Sequence, residues 1–319
     1  MSSYSNKITQ LFNIDIPLVQ GGMIWASGWR LASAVSNAGA LGLIGSGSMY
    51  PHVLREHIVK CKAATEKPFG VNVPLLYPNI EEHIQTIIDE KVPIVFTSAG
   101  NPKTHTQRLK EHGIKVVHVV SSSKFAQKAQ EAGCDAVVAE GFEAGGHNGR
   151  EETTTMVLIP AVVKEVSIPV IAAGGIGIGA QMLAAMVLGA EGVQVGSRFL
   201  ASHEASSHIH FKNLILQIKE GDTQLSLKKT TPVRLIKNHF FHLIQAAENR
   251  GASAEELQEI LGRGRAKKGM FEGDVEEGEL EVGQVSTLIN SIQPAAEIVQ
   301  EIWRDCVVKS KEVMLDFGF

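Results

Sequence analysis

The sequence predicts an α/β protein, a (β/α)8 TIM barrel with a helical insertion after its eighth strand. Short β-branched runs alternate with longer amphipathic segments up to about residue 200, and eight of these runs are almost continuously apolar. Continuous apolar runs are typical of parallel strands that helices cover on both faces. Eight such strands, joined by right-handed helical crossovers, close into a barrel. A doubly wound open sheet stays open as the alternative, because periodicity does not distinguish the two architectures.

The predicted elements follow one another in a regular order. The amphipathic segments between the strands, such as residues 123–133, repeat apolar residues at three- and four-residue spacing and end in glycine, as helices do. Residues 202–284 are charged and helix-patterned without a further strand run, which predicts a helical insertion or lid. A long amphipathic segment from about Pro294 is expected to return as the last outer helix, so residues 1–201 and 285–319 form the barrel. The predicted strands are residues 16–20, 40–47, 69–73, 94–100, 115–122, 136–141, 170–175 and 192–199.

Composition and charge exclude several classes of protein. The net charge is only −4 and the charged residues are interspersed, so the chain lacks the basic stripe that nucleic-acid binding requires. Its three cysteines are widely spaced, which indicates neither a disulfide framework nor a zinc site and favours a reducing, cytoplasmic location. The histidines show no metal-ligand spacing, so no metal site is expected. We also expect neither a signal peptide nor a membrane span, because no apolar run is long enough.

Small and polar residues follow the predicted strands, at the end of a parallel barrel where active sites are built. The seventh strand leads into GGIGIG (residues 174–179) and the eighth into GSRF (residues 196–199). A glycine-rich turn that opens a helix offers free N–H groups to a phosphate, and we expect Ser197 and the guanidinium of Arg198 to complete the cradle. The sequence therefore predicts a phosphate site after these two strands.

A dinucleotide-binding fingerprint competes with that interpretation. Gly175, Gly177 and Ala180 satisfy G-x-G-x-x-A, which is typical of a Rossmann crossover. A Rossmann unit also needs an acidic residue at the end of the next strand, where this chain has residues 196–199. The barrel interpretation is therefore favoured.

The segment 139–155, AEGFEAGGHNGREETTT, places His147 among four glycines directly after the sixth predicted strand. Glycines let backbone atoms approach a flat ligand, and a histidine exchanges protons near neutral pH. We interpret His147 as catalytic, against the alternative of a solvated or structural histidine. The basic run 263–268, RGRAKK, is interpreted as a solvated face, with contact to a nucleotide phosphate or an acidic carrier protein as its alternative.

Five motifs resemble those of one enzyme family. QGGM, KPFGVNV, AEGFEAGGHNG, IPVIAAGGI and GAEGVQVGSRF occur in this order and cover most of the chain. Together they resemble the FMN-dependent barrel enzymes that include nitronate monooxygenase (2-nitropropane dioxygenase) and enoyl-acyl-carrier-protein reductase II, and they are closest to the reductase. The resemblance implies FMN as the cofactor and His147 as the catalytic residue. The residues that it implies for FMN binding are Gly21, Gly22, Met23, Asn72, Glu140, Gly145, Gly146, Gly174, Gly175, Gln194, Gly196 and Ser197.

Within that family the enoyl reductase is the favoured function: NADH or NADPH reduces FMN, and hydride passes through flavin N5 to a trans-2-enoyl thioester. QGGM in place of QAPM, Glu140 in place of glutamine and the lack of a long insertion between strands three and four resemble the reductases. Nitronate oxidation with O2 is the first alternative, and a quinone reductase or a non-catalytic flavin protein is the second. The resemblance also allows an acyl carrier protein as partner and a homodimer, and the acidic stretch 150–155 is expected to alter substrate contacts.

Overall fold

Strands and helices alternate through most of the chain in the structure, a computed structural model that describes residues 4–316 and 318. The strands are β1 (Leu18–Gln20), β2 (Gly42–Gly45), β3 (Phe69–Pro74), β4 (Ile94–Ser98), β5 (Lys115–Val120), β6 (Ala136–Glu140), β7 (Gly146–His147), β8 (Val170–Ala173), β9 (Gly192–Val195), β10 (Thr223–Ser226) and β11 (Val233–Ile236). The helices are α1 (Lys7–Phe12), α2 (Trp29–Asn37), α3 (Pro51–Ala64), α4 (Ile80–Asp89), α5 (Thr106–Glu111), α6 (Ser123–Glu131), α7 (Thr155–Glu165), α8 (Gly179–Val187), α9 (Ser197–Leu200), α10 (Ile209–Ile215), α11 (His239–Asn249), α12 (Ala254–Leu261) and α13 (Ala295–Asp316).

Eight of the strands form one parallel sheet in the order β1-β9-β8-β6-β5-β4-β3-β2. The two edges of this sheet meet, because Val19 on β1 bridges Leu41 beside β2 and the Leu41 N–H donates to the Leu18 carbonyl at 2.9 Å. The predicted (β/α)8 barrel is therefore confirmed, and the open doubly wound sheet is wrong.

The barrel strands separate two hydrophobic cores. On β5, Val117 packs inside the barrel, whereas Val116 and Val120 face the surrounding helices. Side chains alternate between the faces of a strand, so burial on both faces produces the uninterrupted apolar runs seen in the sequence. The amino end of the barrel is closed by α1, whose Phe12 packs against Phe96 with their ring centroids 5.8 Å apart.

The segment after β9 is not only helical. It contains an antiparallel hairpin of β10 and β11, and β11 pairs on its other edge with β7, which carries His147. The prediction of no further strand in residues 202–284 is therefore wrong. These strands have only four residues each, so neither shows a long alternation that a sequence pattern can reveal. The hairpin and the two helices α11 and α12 share a small core of their own.

The chain returns to the barrel through α13. Its Ile298, Val299 and Ile302 join the outer core of the barrel, which confirms the predicted last outer helix. The division into a barrel of residues 1–201 and 285–319 and an insertion of residues 202–284 remains a prediction. Of the helices within the described residues, none is long and apolar enough to cross a membrane.

Candidate active site

A cavity of about 1070 Å³ opens at the carboxyl ends of the barrel strands, beneath the insertion. Loops after β1, β3, β6, β8 and β9 line it, together with β7 and part of the insertion. This is the end of a parallel barrel at which enzymes assemble their active sites. His147 and all twelve residues predicted to bind FMN line this one cavity. Their individual roles stay predictions.

The turn after β1 forms one wall of the cavity. A Cβ atom on Gly22 would overlap the side chain of Asn72 on β3, so only glycine allows this close approach. Gln20 and Ser27 hold the turn, because their side chains hydrogen-bond each other at 2.9 Å and Ser27 Oγ accepts the Met23 N–H at 2.9 Å. The turn is therefore rigid and presents backbone atoms to the cavity.

Backbone N–H groups collect where β8 and β9 end. Gly174 and Gly175 have φ values of +90° and +69°, in the region that favours glycine. The N–H groups of Gly175 and Ile176 find no acceptor within the described part of the chain, and both residues line the cavity. Ser197 Oγ accepts the Gly283 N–H at 2.9 Å, which leaves the hydroxyl hydrogen available to a ligand. These unpaired donors fit the phosphate of FMN.

Arg198 does not belong to this phosphate cradle. Its buried guanidinium donates to the Ser291 carbonyl at 3.3 Å and to the Gln293 side chain, and burial lowers its pKa. Arg198 is absent from the cavity lining. The expectation that its guanidinium completes the cradle is wrong, because the side chain instead fastens the segment before α13 to the barrel.

His147 lies on the opposite wall, in β7. Pairing with β11 places His147 opposite Val233 and Gly146 opposite Arg234. Part of the loop after β6 therefore forms a strand of the insertion sheet. The guanidinium of Arg234 is 1% exposed, donates to the Phe142 carbonyl at 2.9 and 3.2 Å and lies 4.5 Å from the centroid of the Phe142 ring. The insertion hairpin therefore sets the position of His147.

Three glutamates with raised pKa values bring carboxyl groups into or beside the cavity. Burial raises the pKa of Glu140, at the end of β6, to about 7. Burial also raises the pKa of Glu281 to about 7, and burial together with the charge of Glu281 raises the pKa of Glu279 to about 8. In the opposite direction, burial lowers the pKa of His147 against the smaller influence of Glu279. These shifts favour protonated carboxyl groups and a neutral imidazole in the site near neutral pH.

Several cavity residues were missed by sequence reasoning. Glu281 and Tyr77 line the cavity, and the alternation Glu279-Leu280-Glu281-Val282 was the signal that could have found the acidic pair. His118 also contributes to the lining, at 4% exposure, with Nδ1 2.7 Å from Thr97 Oγ1, and burial lowers its pKa to about 4. Nothing in the sequence distinguishes His118 from the other histidines.

Two predicted regions lie outside the cavity lining. Residues 150–155 contact the insertion instead: Arg150 donates to the Thr230 carbonyl at 2.7 Å, and Glu152 pairs with Lys228. None of residues 150–155 lines the cavity, so the expected effect of this stretch on substrate contacts stays a prediction. In the basic run, Lys267 and Lys268 pair with carboxylates of the insertion at 2.7 and 3.1 Å.

The geometry narrows the class of protein. Unpaired N–H donors and glycine-lined walls at the carboxyl end of a barrel suit a planar cofactor that carries a phosphate, and the chain is an FMN-dependent barrel oxidoreductase. The particular family follows from comparison with known proteins. A model of the nitronate monooxygenase family matches residues 5–84 and 77–305, and the chain belongs to this family.

Individual relatives agree with that family and confirm the resemblance found in the motifs. FabK from Thermotoga maritima superposes with a TM-score of 0.93 at 42% identity, over 97% of this chain and 98% of that chain. A probable nitronate monooxygenase from Staphylococcus saprophyticus is 36% identical over 284 residues, 75% of this chain and 80% of the relative. The (3aS,4S,5R,7aS)-5-hydroxy-7a-methyl-1-oxo-octahydro-1H-indene-4-carboxyl-CoA dehydrogenase of Rhodococcus jostii is 31% identical, over 96% of this chain and 97% of the relative.

Proposed function

We propose that this oxidoreductase reduces trans-2-enoyl thioesters with electrons from NADH or NADPH. The observation that carries the proposal is the similarity to FabK, an enoyl-acyl-carrier-protein reductase II, along 97% of the chain. A second relative, the Rhodococcus jostii dehydrogenase, is named for a carboxyl-CoA compound, which is also a thioester. Thioester chemistry is therefore common to two relatives that match nearly the whole chain.

The extent of the cavity supports a long substrate. Beyond the residues predicted to bind FMN, the cavity continues past Leu76, Tyr77 and Phe125. Leu76 and Phe125 are 70% and 41% exposed, so apolar side chains flank the opening. An acyl chain would cover this apolar surface, whereas a small alkyl nitronate would leave it in contact with water.

FMN would be held at two places. Its phosphate would accept hydrogen bonds from the N–H groups of Gly175 and Ile176 and from the Ser197 hydroxyl. Its ring would lie against the turn 21–23, with Asn72 and Glu140 at the polar edge. The other residues assigned to FMN contact are Gly145, Gly146, Gly174, Gln194 and Gly196. Bound FMN supplies a site that accepts hydride from the nucleotide and passes it on.

His147 would orient the thioester. Because burial lowers its pKa, the imidazole is neutral at pH 7 and carries one N–H, which can donate a hydrogen bond to the thioester carbonyl. The following residue stabilises this arrangement, since Asn148 Nδ2 donates to the Ala144 carbonyl at 2.9 Å and the Gly146 carbonyl at 3.1 Å. The turn that carries His147 is therefore fixed before substrate binds.

Nitronate oxidation is the second candidate function. The family model is named for it, and a neutral imidazole at His147 can accept a proton from a nitroalkane. This function needs neither a nucleotide nor the apolar extension of the cavity. The two candidate functions therefore differ in whether turnover requires NADH or NADPH.

The experiment compares electron acceptors. Protein loaded with FMN is mixed without oxygen with NADH or NADPH and a crotonyl thioester, carried either by CoA or by acyl carrier protein. A separate assay in air offers an alkyl nitronate without nucleotide. Nucleotide oxidation that depends on the enoyl thioester supports the proposal, and a preference for the carrier protein identifies the partner. Oxygen uptake on the nitronate, with no enoyl-dependent oxidation, would overturn it.

A further inference from the structure

The segment 279–282, here called the returning arm, presents two glutamates toward the active site. Leu280 and Val282 are each 1% exposed and belong to the core that joins the insertion to the barrel. Because side chains alternate along extended chain, Glu279 and Glu281 face away from that core. Glu281 lines the cavity, and Glu279 is 8% exposed. The two carboxyl groups are thus on the cavity side of the arm.

Backbone pairing fixes the returning arm next to β7. The Ile236 N–H donates to the Leu280 carbonyl at 3.0 Å, and Leu235 bridges Glu281. These contacts use the same edge of β11 that pairs with β7, because its other edge is occupied by β10. A Cβ atom on Gly146 would lie 2.5 Å from Glu281 Oε2. The Glu281 carboxyl group therefore lies against the residue that precedes His147.

The surroundings of the pair supply little positive charge. Neither Glu279 nor Glu281 forms an ion pair or a side-chain hydrogen bond with any described residue. The titratable groups that face the pair are His147 on β7, Tyr77 in the loop after β3 and Arg265 in the insertion. The guanidinium of Arg265 is engaged elsewhere, donating to the Glu277 carbonyl at 2.8 Å and stacking 4.9 Å from the Phe240 centroid.

Glu279 is buried and Glu281 is half-buried, and neither carboxyl group pairs with a cation among the described residues. Ionising both at neutral pH is unfavourable, because each charge is poorly solvated and repels the other. One proton therefore stays on the pair. The raised pKa values of Glu279 and Glu281 and the lowered pKa of His147 agree with this distribution. A carboxyl group of the returning arm can therefore carry a transferable proton into the cavity on the side of His147, in addition to Glu140 at the end of β6.

We propose that Glu281 is a further catalytic residue, which donates the proton that substrate reduction consumes, with Glu279 behind it as the second carboxyl of a shared-proton pair. The assignment rests on the proposed function. Reduction of a trans-2-enoyl thioester breaks the C=C π bond, adds a hydride derived from NADH or NADPH at the β-carbon and adds a proton at the α-carbon. That proton comes from Glu281, and the carboxylate left behind regains one from solvent through Glu279. His147 orients the thioester carbonyl during this step.

The test uses the full-length protein loaded with FMN and three variants. Glu281→Gln removes the proton but keeps the shape, and we expect kcat with crotonyl thioester to fall by about 10²-fold while FMN affinity is retained. Glu279→Gln leaves one carboxyl, and the alkaline limb of the kcat profile should move to lower pH because Glu281 no longer shares a proton. Glu276→Gln is the matched control, at an exposed glutamate three residues before the returning arm, and should behave as the unsubstituted protein.

A readout without turnover separates the proton from a structural role. Difference infrared spectroscopy across neutral pH should show a protonated-carboxyl band in the unsubstituted protein and in Glu276→Gln that is diminished in Glu281→Gln. An unchanged band, or an unchanged kcat in Glu281→Gln, overturns the proposal. If the unsubstituted protein reduces no enoyl thioester, the proposed function fails on its own. The infrared comparison then still decides whether Glu281 holds the proton.

Discussion

The two walls of the active-site cavity present different chemical groups, backbone amides on one side and ionisable side chains on the other. The barrel wall, residues 21–23, 174–176 and 196–197, exposes backbone groups of glycine-rich turns. The insertion wall, β7 with β11 and the returning arm, brings ionisable side chains to the site. Backbone donors at glycine hold a cofactor by close approach, whereas ionisable groups with shifted pKa values hold and move protons. The proposed function therefore assigns cofactor binding to one wall and proton transfer to the other.

This separation predicts that substitutions on the two walls have different effects on FMN binding and on kcat. A change in the barrel wall should weaken FMN binding, because it moves or blocks the backbone donors. A change in the insertion wall should lower kcat and leave FMN bound, because it removes a group that acts on the substrate. Substitutions on each wall therefore test the comparison directly.

The largest effect is expected for His147→Ala. In the proposed function the imidazole orients the thioester carbonyl, so kcat for enoyl-dependent nucleotide oxidation should fall by about 10²-fold or more, the scale of losing a group that acts on the reacting atoms. FMN content, measured by absorbance of the purified protein, should be unchanged. His242→Ala, at an exposed histidine of the insertion, is the control and should retain full activity. Unchanged turnover in His147→Ala would remove this residue from the mechanism.

On the barrel wall, Gly174→Ala should weaken FMN binding. Gly174 has a φ of +90°, and a Cβ atom there would lie 2.6 Å from the Gly141 carbonyl oxygen, so the turn must shift. Strain of about 1 to 3 kcal/mol at the turn corresponds to a rise of about 5- to 150-fold in the Kd for FMN, measured by fluorescence titration. At saturating FMN, the activity of the variant should be closer to that of the unsubstituted protein than its FMN affinity is.

Gly113→Ala is the matched control for that substitution. Gly113 also has a positive φ, +74°, but a Cβ atom there meets no other atom within 4 Å, and the residue does not line the cavity. It should lose some stability through backbone strain while the Kd for FMN stays the same. Equal losses of FMN affinity in both variants would show that global destabilisation, rather than the phosphate cradle, is responsible.

A smaller effect is expected for Arg234→Met, which tests how the insertion wall holds β7. The substitution keeps most of the side-chain volume but leaves the buried Phe142 carbonyl without its two donated hydrogen bonds. We expect a loss of about 1 to 3 kcal/mol in unfolding free energy and a lower kcat with FMN retained. Arg150→Met is the control, since this exposed arginine also joins the loop to the hairpin. Similar losses in both variants would contradict a special role for Arg234.

The two walls also differ in how far the sequence predicted them. The barrel wall is formed by short local motifs, and a glycine-rich turn after an apolar strand is recognisable without knowing its neighbours. The insertion wall depends on pairing between distant segments, with His147 opposite Val233 and Leu235 opposite Glu281. Local patterning contains no information about such pairing. His147 was found because glycines surround it and because its motif resembles that of an enzyme family, whereas Glu281 was missed because its partners lie elsewhere in the chain.

The smallest effect concerns Glu140, which belongs to the barrel but carries an ionisable group typical of the insertion wall. Burial raises its pKa to about 7 from an ordinary value of 4.5, so its contribution to folding is present below pH 4.5 and is lost as pH rises through 7. The glutamine of Glu140→Gln cannot ionise, so the variant does not lose this stability as pH rises. In protein without FMN, the unfolding free energy of the variant should gain about 1 to 3 kcal/mol on the unsubstituted protein between pH 5 and 8, measured by denaturant titration. Other titrating groups, such as Glu279 and His118, are present in both proteins and cancel in the difference. A difference that is constant with pH would mean that Glu140 is already ionised at pH 5, and the barrel wall would then hold no proton at neutral pH.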